Sequence, residues 1–250
     1  MHGIRDEDML EKDFLQAGDK FRQSGKTRFF GFSCHDGNVA DLMSKAAKVG
    51  GIDVILFRYN FRRYGDLALN KAIDACHKAG IGLLAMKTMG SVPGNLEAVV
   101  DFRSKKFTLG QAKLKSVWAD ERISSVVSEM DSVQRVRENV AAAKTEQNLT
   151  AEESHQLNRL AALTANYACN GCNYLCEKAA GGQVAIADPL RFLMYHECYD
   201  GKSGRARELY QALPAEMLGC TTAQAKAATA ACPQGIDIAA RLREARAALA

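Results

Sequence analysis

Apolar positions first recur at helical spacing at Leu10, Phe14, Ala17 and Phe21, until Ser24 and Gly25 stop the pattern. Residues 28–33, a short run rich in aromatics, have the length and composition of a buried strand. Asp36 or Asn38 then caps a helix with Val39, Leu42, Met43, Ala46 and Val49 on its apolar face, closed by Gly50 and Gly51. A second strand is predicted over 52–57. A helix through Leu69, Ile73 and Cys76 follows, ending at Gly80, and residues 81–86 make a third strand. Thr108 and Gln111 form a capping box ahead of a helix through Leu114 and Val117. A fourth strand spans 123–127, and Ser132 caps a helix bearing Val133, Val136 and Val140.

Strand and helix thus alternate four times, and strands that are apolar on both faces predict a parallel sheet with right-handed helical crossovers. The fold class is α/β: half of a (β/α)8 TIM barrel, with about four parallel strands. Such a piece leaves two strand edges open, which points to a homodimer through exposed sheet edges. The chain turns polar at 144–148, which sets a boundary between a barrel domain, 1–147, and a second domain, 148–250. The second domain is all helical. It opens with a capping box at Thr150 and Glu153 before Leu157, Leu160 and Leu163, and continues with Asp188 as the cap and Pro189 at the first position of a helix through Leu190, Leu193 and Met194. A segment through Ala206, Leu209, Tyr210 and Leu213, an Ala-rich helix over 221–231 and a final helix over 236–249 complete it, with no strand signal after Val127.

The composition narrows the function. A net charge of +4 from 33 basic and 29 acidic residues is too small and too mixed for a nucleic-acid surface. No apolar run reaches the length of a membrane span, and the first residues are too charged for a secretory signal. Eight cysteines, three of them clustered, point to a metal in a reducing compartment, with the cytoplasm as the expected location. The cluster is Cys169, Cys172 and Cys176, and Cys232 stands before Pro233 in a distant segment. Short spacings fold back on themselves while the last ligand arrives from elsewhere, so four thiolates can reach one centre. An iron-sulfur cluster is the first reading, zinc fits the spacing equally, and buried or disulfide-bonded cysteines are the plain alternative. Core packing accounts for Cys34, Cys76, His77, His155 and His196, and Tyr195 and Tyr199 lie one turn apart on a helix seam.

A family pattern emerges at Gly25-Lys-Thr-Arg-Phe-Phe-Gly-Phe-Ser33-Cys-His35, continues at Tyr59-Asn60 and Lys87-Thr88-Met89-Gly90, and ends at Arg135-Val-Arg-Glu138-Asn139. In this order the motifs resemble the aldo/keto reductase superfamily, in its branch with a cysteine-bearing C-terminal extension. The extension is matched by Arg191 to Tyr195, Cys198-Tyr199 and the stretch from Cys232-Pro233 to Asp237. The resemblance covers the C-terminal half of the barrel plus the extension. It implies an NADP(H)-dependent oxidoreductase acting on a small carbonyl substrate, with a redox partner. It places cofactor contacts at Ser33, His35, Tyr59, Asn60 and Lys87, and gives the adenosine phosphate end to Arg135, Glu138 and Asn139. It also implies a [4Fe-4S] cluster on Cys169, Cys172, Cys176 and Cys232, with Cys220 or Cys198 as substitutes. Of the family's Asp, Tyr, Lys and His tetrad only His2 has a counterpart, so a truncated form is expected. Leu56 stands where the family commonly has a glutamine that meets the nicotinamide. The competing reading is a non-catalytic electron-transfer or metal-stabilised interaction module.

Overall fold

The computed structural model describes residues 3–4, 10–199 and 201–250. It divides into two units: Met1–Gly90 with Phe102–Asn158, and Ser91–Asp101 with Arg159–Ala250. In the first unit α1 (Lys12–Gln23) leads into β1 (Gly31–Cys34), α2 (Val39–Val49) and β2 (Val54–Arg58). A 3-10 turn at Phe61–Arg63 precedes α3 (Leu67–Lys78) and β3 (Gly82–Met86). The short α4 (Gly94–Glu97) belongs to the second unit. The first then resumes with α5 (Leu109–Trp118), β4 (Ser125–Val126), α6 (Val133–Lys144) and the start of α7 (Ala151–Leu163).

The four strands lie in the order β1-β2-β3-β4, all parallel. Their alternate residues Phe32, Cys34, Ile55, Phe57, Leu83 and Ala85 join Leu42, Met43, Leu69, Ile73 and Val117 of the helices in one buried core. Full burial of each large side chain contributes about 1.5–3 kcal/mol, which is what holds the helical layer to the sheet. Gly31 is required where β1 meets β2, because a Cβ there would sit 1.8 Å from the Val54 carbonyl oxygen.

The α/β architecture with four parallel strands follows the sequence expectation, but β4 has two residues where a five-residue run was expected. It is bracketed by Ser124 N–H donating to Leu83 O at 2.8 Å and Val127 N–H donating to Ala85 O at 2.7 Å. The predicted boxes at Thr108/Gln111 and Thr150/Glu153 both form, and Ser132 accepts from Arg135 N–H to cap α6. Asn38 occupies the N-cap position of α2 without a side-chain capping bond.

The second unit contains α8 (Asn173–Ala179), α9 (Ala187–Cys198), α10 (Ser203–Gln211), α11 (Thr222–Ala231) and α12 (Ile238–Leu249). Asp188 lies inside the first turn of α9 and pairs with Arg191 rather than capping it. The cap comes from Glu177 of α8, whose carboxylate accepts from the N–H groups of Ile186 and Ala187 at 2.8 and 3.0 Å. Arg241 of α12, 8% exposed, forms a bidentate pair with Glu197 at 3.1 and 2.8 Å, bonds Glu244 and lies 4.0 Å from the Tyr167 ring centroid. Among the described residues no helix is long and apolar enough to cross a membrane.

On the helix side of the sheet, Asp120 ties α5 to α3. It accepts from the Tyr59 hydroxyl at 2.7 Å and from Arg122, which also reaches Asp74 and Asn70. Burial pushes the Asp120 carboxyl up, but the hydrogen bonds from Arg122 and Tyr59 outweigh it and hold the group below its ordinary value. Asp120 therefore stabilises the fold fully above the ordinary carboxylate value of about 3.9, and that contribution is lost as pH falls through the lower folded-state value. Asp120→Ala should cost about 2–3 kcal/mol in urea unfolding at pH 7, and its gap from the parent chain should shrink below pH 4. A gap that does not change with pH would show that the carboxylate charge is not what holds this contact.

Candidate functional site

Parallel barrels bind ligands where the strands end, so the mouth of this sheet is built by the residues leaving β1, β2 and β3. The register aligns Ser33 with Leu56, Leu56 with Leu84, and Leu84 with Ser125, one continuous row on the face away from the helices. Leu56 therefore lies beside Ser33 on that face and brings no hydrogen-bonding group to it. One step further toward the strand ends, Arg58 is paired with Met86.

Ser33 is buried. Its Oγ accepts from Gly3 N–H at 3.0 Å and its carbonyl accepts from Ile4 N–H at 2.9 Å, so residues 3–4 run beside the end of β1. His35 follows, with its Nδ1 buried. His2 lies outside the described residues.

Tyr59 and Asn60 are adjacent in sequence and go to different places. Tyr59 continues the Ile55 and Phe57 alternation, so its ring lies on the helix side, 5.8 Å from Phe57 and 5.9 Å from Tyr64, and its hydroxyl donates to Asp120. Burial first, and the Asp120 contact second, raise its phenol far above the ordinary value. The structure thus gives Tyr59 a packing role away from the mouth. Asn60 serves the mouth directly: its Nδ2 donates to the Lys87 carbonyl at 2.8 Å, while its Oδ1 accepts from Arg62 N–H at 3.1 Å and caps the 3-10 turn.

That clamp acts on a strained position. Lys87 has φ of 57°, and among the described residues no other non-glycine residue has positive φ. The left-handed region costs an L-residue about 1–2 kcal/mol, and such positions cluster at ligand sites. Gly90 closes the turn at φ of 51°. A Cβ there would press on Arg62 Nε and the Phe61 ring, both at 3.1 Å, and Arg62 Nε donates to the Gly90 carbonyl at 2.9 Å. Arg62 and Lys113 lie 5.0 and 5.9 Å from the Phe61 ring centroid. With buried Arg58 they concentrate positive charge around the ends of β2 and β3. Arg58 escaped the sequence reading, though counting by twos along β2 puts it on the Leu56 face.

After β4, Asn139 is buried and donates to Ser128 Oγ and Glu129 O, both at 3.2 Å, strapping the loop to α6. Glu138 accepts from Gln134 Nε2 through its carboxylate and from Gln111 Nε2 through its carbonyl. Arg135 is half exposed in the first turn of α6, with Nε 3.0 Å from Asp131. Of this trio Arg135 alone lies in the first turn of α6, a setting suited to phosphate.

In the second unit Cys169, Cys220 and Cys232 pack against the core cluster that contains Cys176. Burial, then the neighbouring Cys169, pushes the Cys176 thiol up to about 12. None of the eight cysteines is joined in a disulfide. Among the described residues no three His, Cys, Asp or Glu side chains converge to hold a metal ion.

The strain at Lys87 can be separated from its charge. Lys87→Gly should raise stability by about 1 kcal/mol in chemical unfolding, whereas Asn60→Ala should lower it by about 1–3 kcal/mol by leaving the Lys87 carbonyl without its amide. A Lys87→Gly chain that is less stable than the parent would show that the turn is not strained.

No protein-family model matches the chain, and no curated protein matches it. Among solved structures it is similar to the aldo-keto reductase AKR11C1 from Bacillus halodurans, holo form, with a TM-score of 0.51 and 19% identity. The similarity covers 64% of this chain and 56% of that one, so the chain spans little more than half of the enzyme's length. The four parallel strands and their helices have the fold of part of a (β/α)8 barrel.

Proposed function

We propose that this chain is the cofactor-facing half of an aldo-keto reductase-like, NADP(H)-dependent oxidoreductase acting on a small carbonyl compound. The observation that carries this reading is the strained Lys87 turn, clamped by Asn60 at the strand ends of a fold similar to that of a holo aldo-keto reductase.

The residues present suit the cofactor. Arg135 would take its phosphate end at the start of α6, held in place by the Ser132 cap and the Asp131 pair. Lys87 and the Gly90 turn, where a Cβ would crowd Arg62 and the Phe61 ring, would lie along the phosphate bridge. Ser33 and His35 would flank the reacting end, where Leu56 offers packing in place of a carboxamide hydrogen bond. When bound, the nicotinamide supplies the hydride. The proton needed at the carbonyl oxygen has to come from another group, and His2 is the one position of the family tetrad matched in this sequence. The chain is therefore expected to bind cofactor without turning over a carbonyl.

Calorimetry with NADPH tests this. Binding should be detectable below millimolar cofactor, and Arg135→Ala should weaken NADPH at least tenfold while changing NADH far less. Absence of binding at millimolar NADPH would sink the reading and favour the non-catalytic module.

For the second unit we propose that the tail thiols take a [4Fe-4S] cluster, with zinc as the competing occupant. The support is the spacing of Cys169, Cys172 and Cys176 and the packing of Cys169, Cys176 and Cys232 around one small core. As placed, these thiols do not form a ligand set. After anaerobic purification, iron and acid-labile sulfide should be present in equal, stoichiometric amounts. Stoichiometric zinc without sulfide would exclude the cluster.

A further inference from the structure

The tail cysteines reach their common core from two segments, and α12 holds both. Cys232 lies in the turn that leads into α12. Its N–H donates to the Thr229 carbonyl at 3.1 Å, and its own carbonyl accepts from Gly235 N–H at 3.1 Å. Ile238 N–H donates to Thr229 Oγ1 at 3.1 Å, and Asp237 caps the helix by accepting from Ala240 N–H at 2.9 Å. Ile236 and Ile238 then enter the core that contains Cys176, against which Cys169 and Cys232 pack. The position of Cys232 is thus tied to the start of α12.

Cys169 belongs to the turn-rich chain between α7 and α8. The backbone bonds around it are local: the N–H groups of Tyr167 and Ala168 both donate to the Thr164 carbonyl at 3.2 Å, and Gly171 N–H donates to Cys169 Sγ at 3.4 Å. The Tyr167 side chain reaches further. Its hydroxyl accepts from Arg241 Nη1 at 2.9 Å, and its ring centroid lies 4.0 Å from the guanidinium. Arg241 is itself fixed, because it is buried and its planar fork takes both carboxylate oxygens of Glu197. A ring that is stacked on such a guanidinium and bonded to it is held in distance and in tilt. Tyr167 stands two residues before Cys169. One helix therefore carries the turn of one cysteine at its start and, along its length, the grip on the segment of the other.

We propose, on the metal reading of the tail, that Arg241 and Tyr167 are positioning residues for the thiol site. The guanidinium holds the chain just ahead of Cys169 and so sets that thiol against Cys232. Metal affinity then depends on two side chains that are not themselves ligands.

Zinc alone is the probe, titrated into the reduced full chain against a competing chelator. Tyr167→Leu leaves the Arg241–Glu197 pair intact. It should weaken zinc at least tenfold while the melting temperature of the metal-free chain stays within about three degrees. Tyr167→Phe keeps the ring on the guanidinium and should recover most of that loss. Glu244→Ala removes the more exposed partner of Arg241 and should leave zinc affinity within twofold. Unchanged zinc affinity in Tyr167→Leu overturns the proposal, as does an equal loss in Glu244→Ala. A loss that comes with a larger fall in melting temperature marks a merely structural role and overturns it too. Should Tyr167→Leu not fold, Arg241→Lys decides: an ammonium keeps the charge but lacks the fork that pairs and stacks at once, so the same loss is expected and unchanged affinity overturns the proposal. The metal-free chain gives a second readout. Alkylation of Cys169, followed by mass spectrometry, should be at least fivefold faster in Tyr167→Leu than in the parent, with buried Cys34 and Cys76 unchanged. A parent chain that takes neither zinc nor a cluster sinks the metal reading. The alkylation rates then still decide the grip, a faster Cys169 upholding it and an unchanged rate overturning it.

Discussion

The constraint on which the first unit depends is the two-residue period of a strand packed against helices on one face. Once Ile55 and Phe57 are committed to the core with Leu69 and Ile73, the next residue of that parity, Tyr59, must follow them. Leu56 and Arg58 are assigned to the other face by the same count. Parallel register then extends the choice sideways, so Ser33, Leu56 and Leu84 share a row. The chemistry available at the mouth is decided by hydrophobic burial several residues before the mouth is reached.

The helices were most legible where an apolar period and a cap agree. Thr108 with Gln111 and Ser132 before Arg135 mark helix starts in sequence and in space alike. β4 was harder: the run 123–127 is apolar enough for five residues, but a strand is defined by its partner, and β3 pairs with only two of them. The cap of α9 was misread for a related reason. Asp188 has the chemistry of a cap, yet Glu177 arrives from α8 and takes both N–H groups, a contact that sequence spacing does not encode.

The site was legible in its motifs and less so in its roles. Tyr59-Asn60 reads as one polar pair, but adjacent residues on a strand point oppositely, so one side chain meets Asp120 and the other the Lys87 carbonyl. Glu138 and Asn139 belong to a recognisable motif, and both carry structural hydrogen bonds within their own unit. Nothing in the letter Lys foretells a left-handed backbone at position 87, since that conformation is imposed by the turn into Gly90 and by Asn60. For the cysteines, spacing fixes how far apart the thiols are along the chain and not where they point. The core around Cys176 supplies that, and it takes in Cys220 as well as Cys232.

The Arg241 contacts also set an order of events during synthesis. Tyr167, two residues before the cysteine segment, is held by Arg241 through both its hydroxyl and its ring, and the same guanidinium fixes Glu197 at the end of α9. These anchors are made some seventy residues before their partner, since 74 positions separate Tyr167 from Arg241. Until the ribosome has delivered α12, Tyr167 lacks its guanidinium contact and Glu197 lacks its bidentate partner. Cys169, Cys172 and Cys176 therefore emerge from the ribosome well before the contact that settles their surroundings, and that interval is when oxidants, chaperones or metal donors have the freest access to them.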